Sequence, residues 1–449
     1  MCNMNETIFP NRSIEDVLYI VRHDTQATWA KEAEKIVRLV QLDGDAGLQK
    51  AIVEYEGRQG GPLLIERDDL RKAYERLPVK TQQLLERTRD RIELFAKAQK
   101  AAVRPTRVSI PGGAVGSQWT PVNRVACYAP GGRFPLPSSV LMTVVTARAA
   151  GVPSVWAVTP SSDDLMWGTA WLAGADGLVH AGGAQAIAAV AYGTETVGQV
   201  DLIVGPGNRW VSAAKKIVDG VVGIDMIAGP SELVVAADAT ADPAWIAADL
   251  LAQAEHDDDA LPVLLSTSRS LIDAVKGCLE TQTQTLKTQK TAQNALRRGG
   301  AIFCEDMDTM VQMINQISPE HLSLQGPLIE SRREEMTNYG ALFIGAMSAE
   351  VFGDYGAGPN HVLPTSTSAR FSGGLSVYTF LKSNTWMKIE RPSEAQEMMT
   401  DALQLATLEG LEGHAVSASL RLRATQGGQA VESLKASYEG EKTADLPIA

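Results

Sequence analysis

Long apolar runs are missing from this chain. No stretch reaches the ~18 to 20 consecutive apolar residues that a membrane-crossing helix needs, so no membrane partner is expected. A basic surplus is missing too: 41 Lys and Arg face 53 Asp and Glu, for a formal charge of -12, and no dense Lys/Arg run occurs. A long phosphate-tracking surface is therefore not expected, nor is nucleic acid as a partner. Cysteine is scarce and scattered (Cys2, Cys127, Cys278, Cys304), without CxxC spacing. That pattern suits reduced thiols in a cytosolic protein and fits neither a zinc knuckle nor a disulfide framework. The first ten residues, Met1 to Pro10, lack a basic region followed by an apolar core, so they do not read as a secretory signal. A cytoplasmic protein is the expectation.

Aromatic residues are few, at 6%, while glycine is plentiful, with 39; this composition is familiar in soluble α/β enzymes. The 449 residues predict two to four domains and allow a large core. From about Glu32 to Gln99 the pattern is helical, with Ile36, Leu39 and Val40 on one face and Leu84, Leu85, Ile92, Phe95 and Ala98 at similar spacing. The period then changes. Short runs such as Val125–Tyr128, Val155–Val158, Leu178–His180 and Leu202–Val204 alternate with helical segments such as Ser139–Ala150 and Ala184–Tyr192. A second series follows at Leu233–Ala236, Val263–Leu265, Ala301–Phe303 and Ala341–Ile344, with helices near Pro243–Glu255 and Met307–Ile317. This alternation predicts βαβ crossovers and parallel sheets. The fold class expected is α/β: two doubly wound Rossmann-like domains, one inserted in the other, with N-terminal helices and a helical C-terminal arm. The expected boundaries are 1–23 for an N-terminal segment, 24–127 with 231–375 for the discontinuous domain, 128–230 for the insert and 376–449 for the arm. Its last stretch, Ser433 to Ala449, is polar.

Six histidines occur, and four sit close to acidic or amide side chains in the second half: His256, His321, His361 and His414. Neutral imidazole is both the commonest metal ligand and the usual acid/base group near pH 7. Asp242-Pro243 reads as an N-cap and N1 pair, and the helix it opens carries Gln253 and His256 at i and i+3 on one face. An Asp such as Asp354, at the edge of a glycine-rich loop, would complete an N/O set suited to catalytic zinc. The bland alternative is a helix that merely ends above the solvated Asp257, Asp258 and Asp259. Ser318-Pro319-Glu320-His321 reads as N-cap, N1, N2 and N3 of another helix, whose dipole would keep His321 neutral and competent as a base. A capping Glu beside an incidental His explains that tetrapeptide equally well. Glycine-rich turns at Tyr128–Gly132, Ala181–Gln185 and Gly205–Asn208 follow strands, where parallel sheets bind ligands. None matches GxGxxG, and ordinary tight turns account for them too.

Taken together, Tyr128-Ala-Pro-Gly-Gly, Gly182-Gly-Ala-Gln185, Tyr192-Gly-Thr-Glu-Thr, Gly205-Pro-Gly-Asn208, Gly223 through Ser231-Glu, Ala248 through His256, Ser318-Pro-Glu320-His321-Leu and Gly353-Asp354-Tyr355 through Thr365 resemble the histidinol dehydrogenase family from about residue 30 to 425. The resemblance implies a zinc-containing, NAD-dependent alcohol dehydrogenase that works as a homodimer. It implies one zinc per subunit held by Gln253, His256, Asp354 and His414, the last from the partner subunit's arm. Glu320 and His321 would be the catalytic pair, and Tyr128, Gln185 and Asn208 the NAD contacts. Ser231, Gln253, His256, His321, Asp354, Tyr355, His361, Glu409 and His414 would surround the substrate. The implied reaction carries L-histidinol through L-histidinal to L-histidine with two NAD, His321 as proton acceptor and Glu320 activating water.

Some positions depart from that pattern. Gly373 stands where a second Ser is common, Gly413 where Ala is usual, and Ile92–Gln99 lacks a His after Phe95. These features resemble a divergent branch that includes sulfopropanediol dehydrogenase, which makes another polar primary alcohol, 2,3-dihydroxypropane-1-sulfonate, the alternative substrate. Tyr355 and Glu409 match the histidinol pattern instead. A zinc hydrolase and a non-catalytic metal-binding paralogue are the readings from other classes.

Overall fold

The computed structural model describes residues 8–22, 27–131 and 135–426. The polar tail from Ser433 lies outside them. The chain divides into two compact units, Met1–Ala102 with Pro121–Leu381, and Val103–Thr120 with Lys382–Ala449. Along the chain run β1 (Leu64–Glu66), β2 (Thr106–Ile110), β3 (Gly113–Pro121), β4 (Arg124–Tyr128), β5 (Ser154–Val158), β6 (Gly177–Val179) and β7 (Leu202–Val204). They are followed by β8 (Gly223–Ile224), β9 (Glu232–Ala237), β10 (Leu261–Ser266), β11 (Gly300–Phe303), β12 (His321–Gln325), β13 (Ala341–Ile344) and β14 (Leu381–Ile389). The result is a mixed α/β fold with several sheets.

The first unit holds two of these sheets. One has the order β1-β6-β5-β4-β7-β8, parallel except for β1, which pairs antiparallel with β6. The other has the order β11-β10-β9-β12-β13 and is parallel throughout. β9 shows why its sequence is apolar without alternation. Leu233, Val235 and Ala237 pack into one core with Phe9 and with Ile246 and Leu250 of the helix Pro243–Ala254. Val234 and Ala236 pack into a second core with Met310 and Ile314 of the helix Met307–Ile317. Both faces are covered, as parallel sheets require. Membership of the six-stranded sheet begins at β1, while Phe9 and Val17 near the N-terminus join the cores of the five-stranded one.

The expected strands from Val125 to Ile344 form close to their read limits, as do the helices beginning at Pro137, Gly183, Pro243 and Met307. Two local expectations are overturned: His256 lies beyond the helix Pro243–Ala254 and not on it, and the tetrapeptide from Ser318 starts no helix. Ser318 does not open a helix; it is the left-handed C-cap (φ 50°) of Met307–Ile317, its N–H donating to Ile314 O. His321 then begins β12, a central strand between β9 and β13. Parallel pairing on both sides offers the backbone more than one helical turn could, and it buries all five residues of the strand.

The second unit carries a three-stranded sheet of order β14-β3-β2 and two C-terminal helices, Gln396–Leu408 and Glu412–Thr425. The helices pack on each other through Leu403, Ala406, Ala415 and Leu422. Among the described residues no helix is long and apolar enough to cross a membrane.

Candidate active site

The helix Pro243–Ala254 is set by its cap: the Asp242 side chain accepts N–H donors from Ala244 and Trp245, and Pro243 occupies the first turn. Its last turn places Gln253 in the interior, with His256 just beyond. Gln253 is fully buried, and neither its Oε1 nor its Nε2 has a hydrogen-bond partner among the described residues. An unpaired buried polar group costs about 1–3 kcal/mol, so this amide points to a ligand. His256 Nε2 lies 3.4 Å from Asp354 Oδ2. Asp354 ends the short helix Glu350–Asp354, and Glu350 stands one turn earlier. His256, Glu350 and Asp354 present ligand atoms that all lie within 4.8 Å of one another.

The electrostatics of this cluster are those of a cation site. Burial pushes the Glu350 carboxyl up to about 9, and the neighbouring Asp354 charge adds to the effect. Neither Glu350 oxygen meets a hydrogen-bond donor at bonding distance among the described residues. Burial also raises Asp354, but its hydrogen bond to His256 and the nearby histidines outweigh that and hold it below the usual range. Its contact with Asp354 in turn raises His256, against the opposing effect of burial. An imidazole and two carboxylates are N/O donors of the kind that divalent zinc accepts, and the unpartnered Gln253 amide, three residues before His256, is a further oxygen donor. The residues therefore fit a metal on chemistry alone.

Glu320 and His321 sit beside this cluster at the amino end of β12. Both are fixed by the backbone of Glu232, the first residue of β9. The Glu232 N–H donates to Glu320 Oε2 at 2.8 Å, and His321 Nδ1 donates to the Glu232 carbonyl at 3.0 Å. A carbonyl can only accept, so Nδ1 carries the proton and the lone pair of neutral His321 is on Nε2. That atom lies 3.8 Å from Glu350 Oε1 and 3.9 Å from Asp354 Oδ1. Burial lowers His321 to about 4 and raises Glu320 well above the ordinary carboxyl range. The sequence reading gave the right direction for His321 for the wrong reason: burial, with no helix terminus, keeps it neutral.

His361 stands against the same cluster. His361 is largely buried; its Nδ1 donates to Asp354 O at 2.9 Å, and its Nε2 lies 3.4 Å from Ser139 Oγ. Burial lowers its pKa as well. Ser231 immediately precedes β9, and Tyr355 is exposed at the end of Glu350–Asp354. Tyr128, Gln185 and Asn208 follow from the carboxyl ends of β4, β6 and β7. The Tyr128 hydroxyl accepts the Gly183 N–H at 3.1 Å, Gln185 Nε2 donates to Glu56 Oε1 at 2.9 Å, and Asn208 caps the helix Arg209–Val218. Glu409 and His414 lie on the second unit, one capping Gln396–Leu408 and the other in the first turn of Glu412–Thr425, both exposed.

Sequence reasoning missed Glu350, Glu56 and the structural part played by Glu232. Glu350 had a signal, since it stands four residues before Asp354 and one helical turn brings the two together. For Glu56 and Glu232 no local signal existed, because their partners are far away in the chain.

Comparison with known proteins identifies the family. The family model described as histidinol dehydrogenase matches residues 21–422. A histidinol dehydrogenase of Thermus thermophilus is 44% identical over 390 residues, covering 86% of this chain and 93% of the relative. One from Methylococcus capsulatus is 42% identical over 397 residues, covering 87% and 91%. The crystal structure of histidinol dehydrogenase from Elizabethkingia anophelis superposes with a TM-score of 0.86 at 30% identity, covering 94% of this chain and all of that one. The chain belongs to the histidinol dehydrogenase family.

Proposed function

We propose that this chain is a zinc- and NAD-dependent oxidoreductase that converts L-histidinol through L-histidinal to L-histidine in the cytoplasm, using two NAD. The observation that carries the reading is the cluster of His256, Glu350 and Asp354, with the backbone-anchored His321 3.9 Å from Asp354 Oδ1 and a buried, unpartnered Gln253 amide three residues before His256. Gln253, His256 and Asp354 would hold the zinc, with His414 supplied by a second copy of the chain. Zinc would supply a fixed positive charge that orients the substrate oxygen, and NAD the hydride acceptor.

The remaining steps belong to side chains of this chain. His321 Nε2 accepts the hydroxyl proton as the alcohol is oxidised. Glu320, in its ionised form, then takes a proton from the water that adds to the aldehyde; burial favours its protonated form and so makes the ionised one a stronger base, and the Glu232 N–H fixes one of its oxygens. His321 deprotonates the hydrate for the second oxidation. Tyr128, Gln185 and Asn208 would meet NAD, while Ser231, Tyr355, His361 and Glu409 would line the substrate.

Two Rossmann-like halves are part of the proposal, with the sequence-read segments 24–127 and 231–375 enclosing 128–230. The sheet that runs from β1 to β8 supports an insertion and favours starting it earlier in the chain. We also propose a homodimer whose arm, 376–449, completes the partner's site. Exposed Leu405, Leu408, Leu411, Val416 and Leu420 on the C-terminal helices support a second copy as their cover. The expected outcome is complementation: His414→Asn and Gln253→Ala, each inactive, should regain part of the activity when mixed as a verified heterodimer. No recovery would place the whole site in one chain.

A second reading has one supporting observation. A Cβ added at Gly373 or Gly413 would meet nothing within 4 Å, so packing does not demand the two departures from the histidinol pattern. Oxidation of 2,3-dihydroxypropane-1-sulfonate therefore stands as the alternative. NADH yield decides between them. L-histidinol should give two NADH per molecule consumed; a yield only from the sulfonated diol selects the alternative, and ester or amide cleavage without NADH overturns both. Glu320→Gln should separate the half-reactions: conversion of alcohol to acid should fall about 100-fold, at the lower end of general acid–base effects, with oxidation of added aldehyde hydrate less impaired. Equal losses would remove Glu320 from water activation.

A further inference from the structure

We propose that the Glu232 side chain is a positioning residue, a strap tying the strained turn at Ser366 to the catalytic pair; the inference rests on the reading of Glu320 and His321 as that pair. The Glu232 backbone already holds both residues, through its N–H to Glu320 and its carbonyl to His321. Its side chain points elsewhere. Oε1 accepts the Ser366 N–H at 2.8 Å across 134 positions of sequence. The carboxyl is buried, its Oε2 has no partner among the described residues, and burial pushes its pKa up to about 7.

The turn that it holds is not one the chain would choose unaided. Ser366 and Thr367 have φ of 55° and 62°, consecutive left-handed residues that are not glycine. Such backbone persists only where its surroundings enforce it. The second anchor comes from the segment just before β9: Gly229 N–H donates to Thr365 Oγ1 at 2.5 Å. A Cβ on Gly229 would sit 2.5 Å from Ser366 Oγ, so the Gly229 backbone lies directly against the Thr365 and Ser366 side chains. One loop leads into Ser231 and the other follows His361. Glu232 thus joins the segments: its backbone holds the catalytic pair, its side chain holds the turn after His361, and the Gly229–Thr365 bond ties that turn to the loop before Ser231.

The experiment uses the metal-loaded full-length enzyme with L-histidinol, the sulfonated diol and NAD. Glu232→Ala should lower kcat about 100-fold, the scale of a misplacement near 1 Å, with KM for NAD little changed. Glu232→Gln keeps an oxygen for the Ser366 N–H and should stay within about fivefold of wild type, since the bond it retains is the one that positions the turn. The decisive arm adds Ser366→Gly to Glu232→Ala. Glycine adopts positive φ without strain, so the double variant should recover about tenfold in kcat and part of any loss in Tm. A folded Glu232→Ala with wild-type kcat overturns the strap, as does a Gln variant as impaired as the Ala variant, or a double variant with no recovery. A wild type silent with both alcohols overturns the assigned reaction and the positioning role with it. In that case the Tm recovery still reads whether Glu232 restrains the turn.

Discussion

Replacing His321 with asparagine should lower kcat for alcohol oxidation about 1,000-fold while leaving KM for the alcohol nearly unchanged, because a positioned general base contributes on the order of 100- to 10,000-fold. Asparagine can still donate to the Glu232 carbonyl, so the fold around β12 is kept and only the Nε2 lone pair is lost. The loss corresponds to about 4 kcal/mol of transition-state stabilisation. The pH dependence checks the same assignment. Burial lowers His321 to about 4, so the neutral base persists as pH falls from 8 towards 5 and protonates only near 4. The His321 contribution to the acid limb should therefore lie well below the 6.5 of a solvated imidazole. A limb near 6.5 that vanishes in the asparagine variant would show a solvated His321 and overturn the buried-base reading.

The largest expected effect on stability lies at Lys215. Lys215 and Asp225 form an ion pair with both side chains essentially buried. Lys215 also donates to Gly205 O at 3.1 Å, and Asp225 accepts the N–H groups of Gly205 and Met226, each at 2.7 Å. This network fixes the turn that runs from Gly205 to Asn208. Lys215→Met keeps the volume but strands a buried carboxylate, which should cost about 3–5 kcal/mol. Adding Asp225→Asn removes the stranded charge and should return a good part of that. Denaturant midpoints at constant slope measure both values. A Lys215→Met loss below about 1 kcal/mol would mean that the pair behaves like a solvated one. Because the turn ends at Asn208, the proposed NAD contact, the folded fraction of the variant should also show a raised KM for NAD.

How legible each part was depended on the range of the forces that set it. The strands of β9, β10 and β11 were readable because both faces are buried, so Leu233–Ala237, Leu261–Leu265 and Ala301–Phe303 are apolar without a break. β12 was not readable, since His321, Ser323 and Gln325 alternate with Leu322 and Leu324 behind a Ser-Pro that imitates a helix start. Its neighbours β9 and β13 overruled the local signal. β2, β3 and β14 were missed for a related reason: β2 and most of β14 are exposed, so they lack an apolar signature.

The site divides in the same way. The sequence by itself determined the family, through motifs spread along the chain, and the capped helix that carries Gln253, whose start depends on neighbours within about one turn. Only the tertiary structure decided that His321 is held neutral by burial and that its free lone pair is on Nε2. It alone brought Glu350 into the cluster of His256 and Asp354, and the Glu232 carboxyl to a turn 134 positions away. Burial and hydrogen-bond partners are properties of the folded chain, and a string of residues does not carry them.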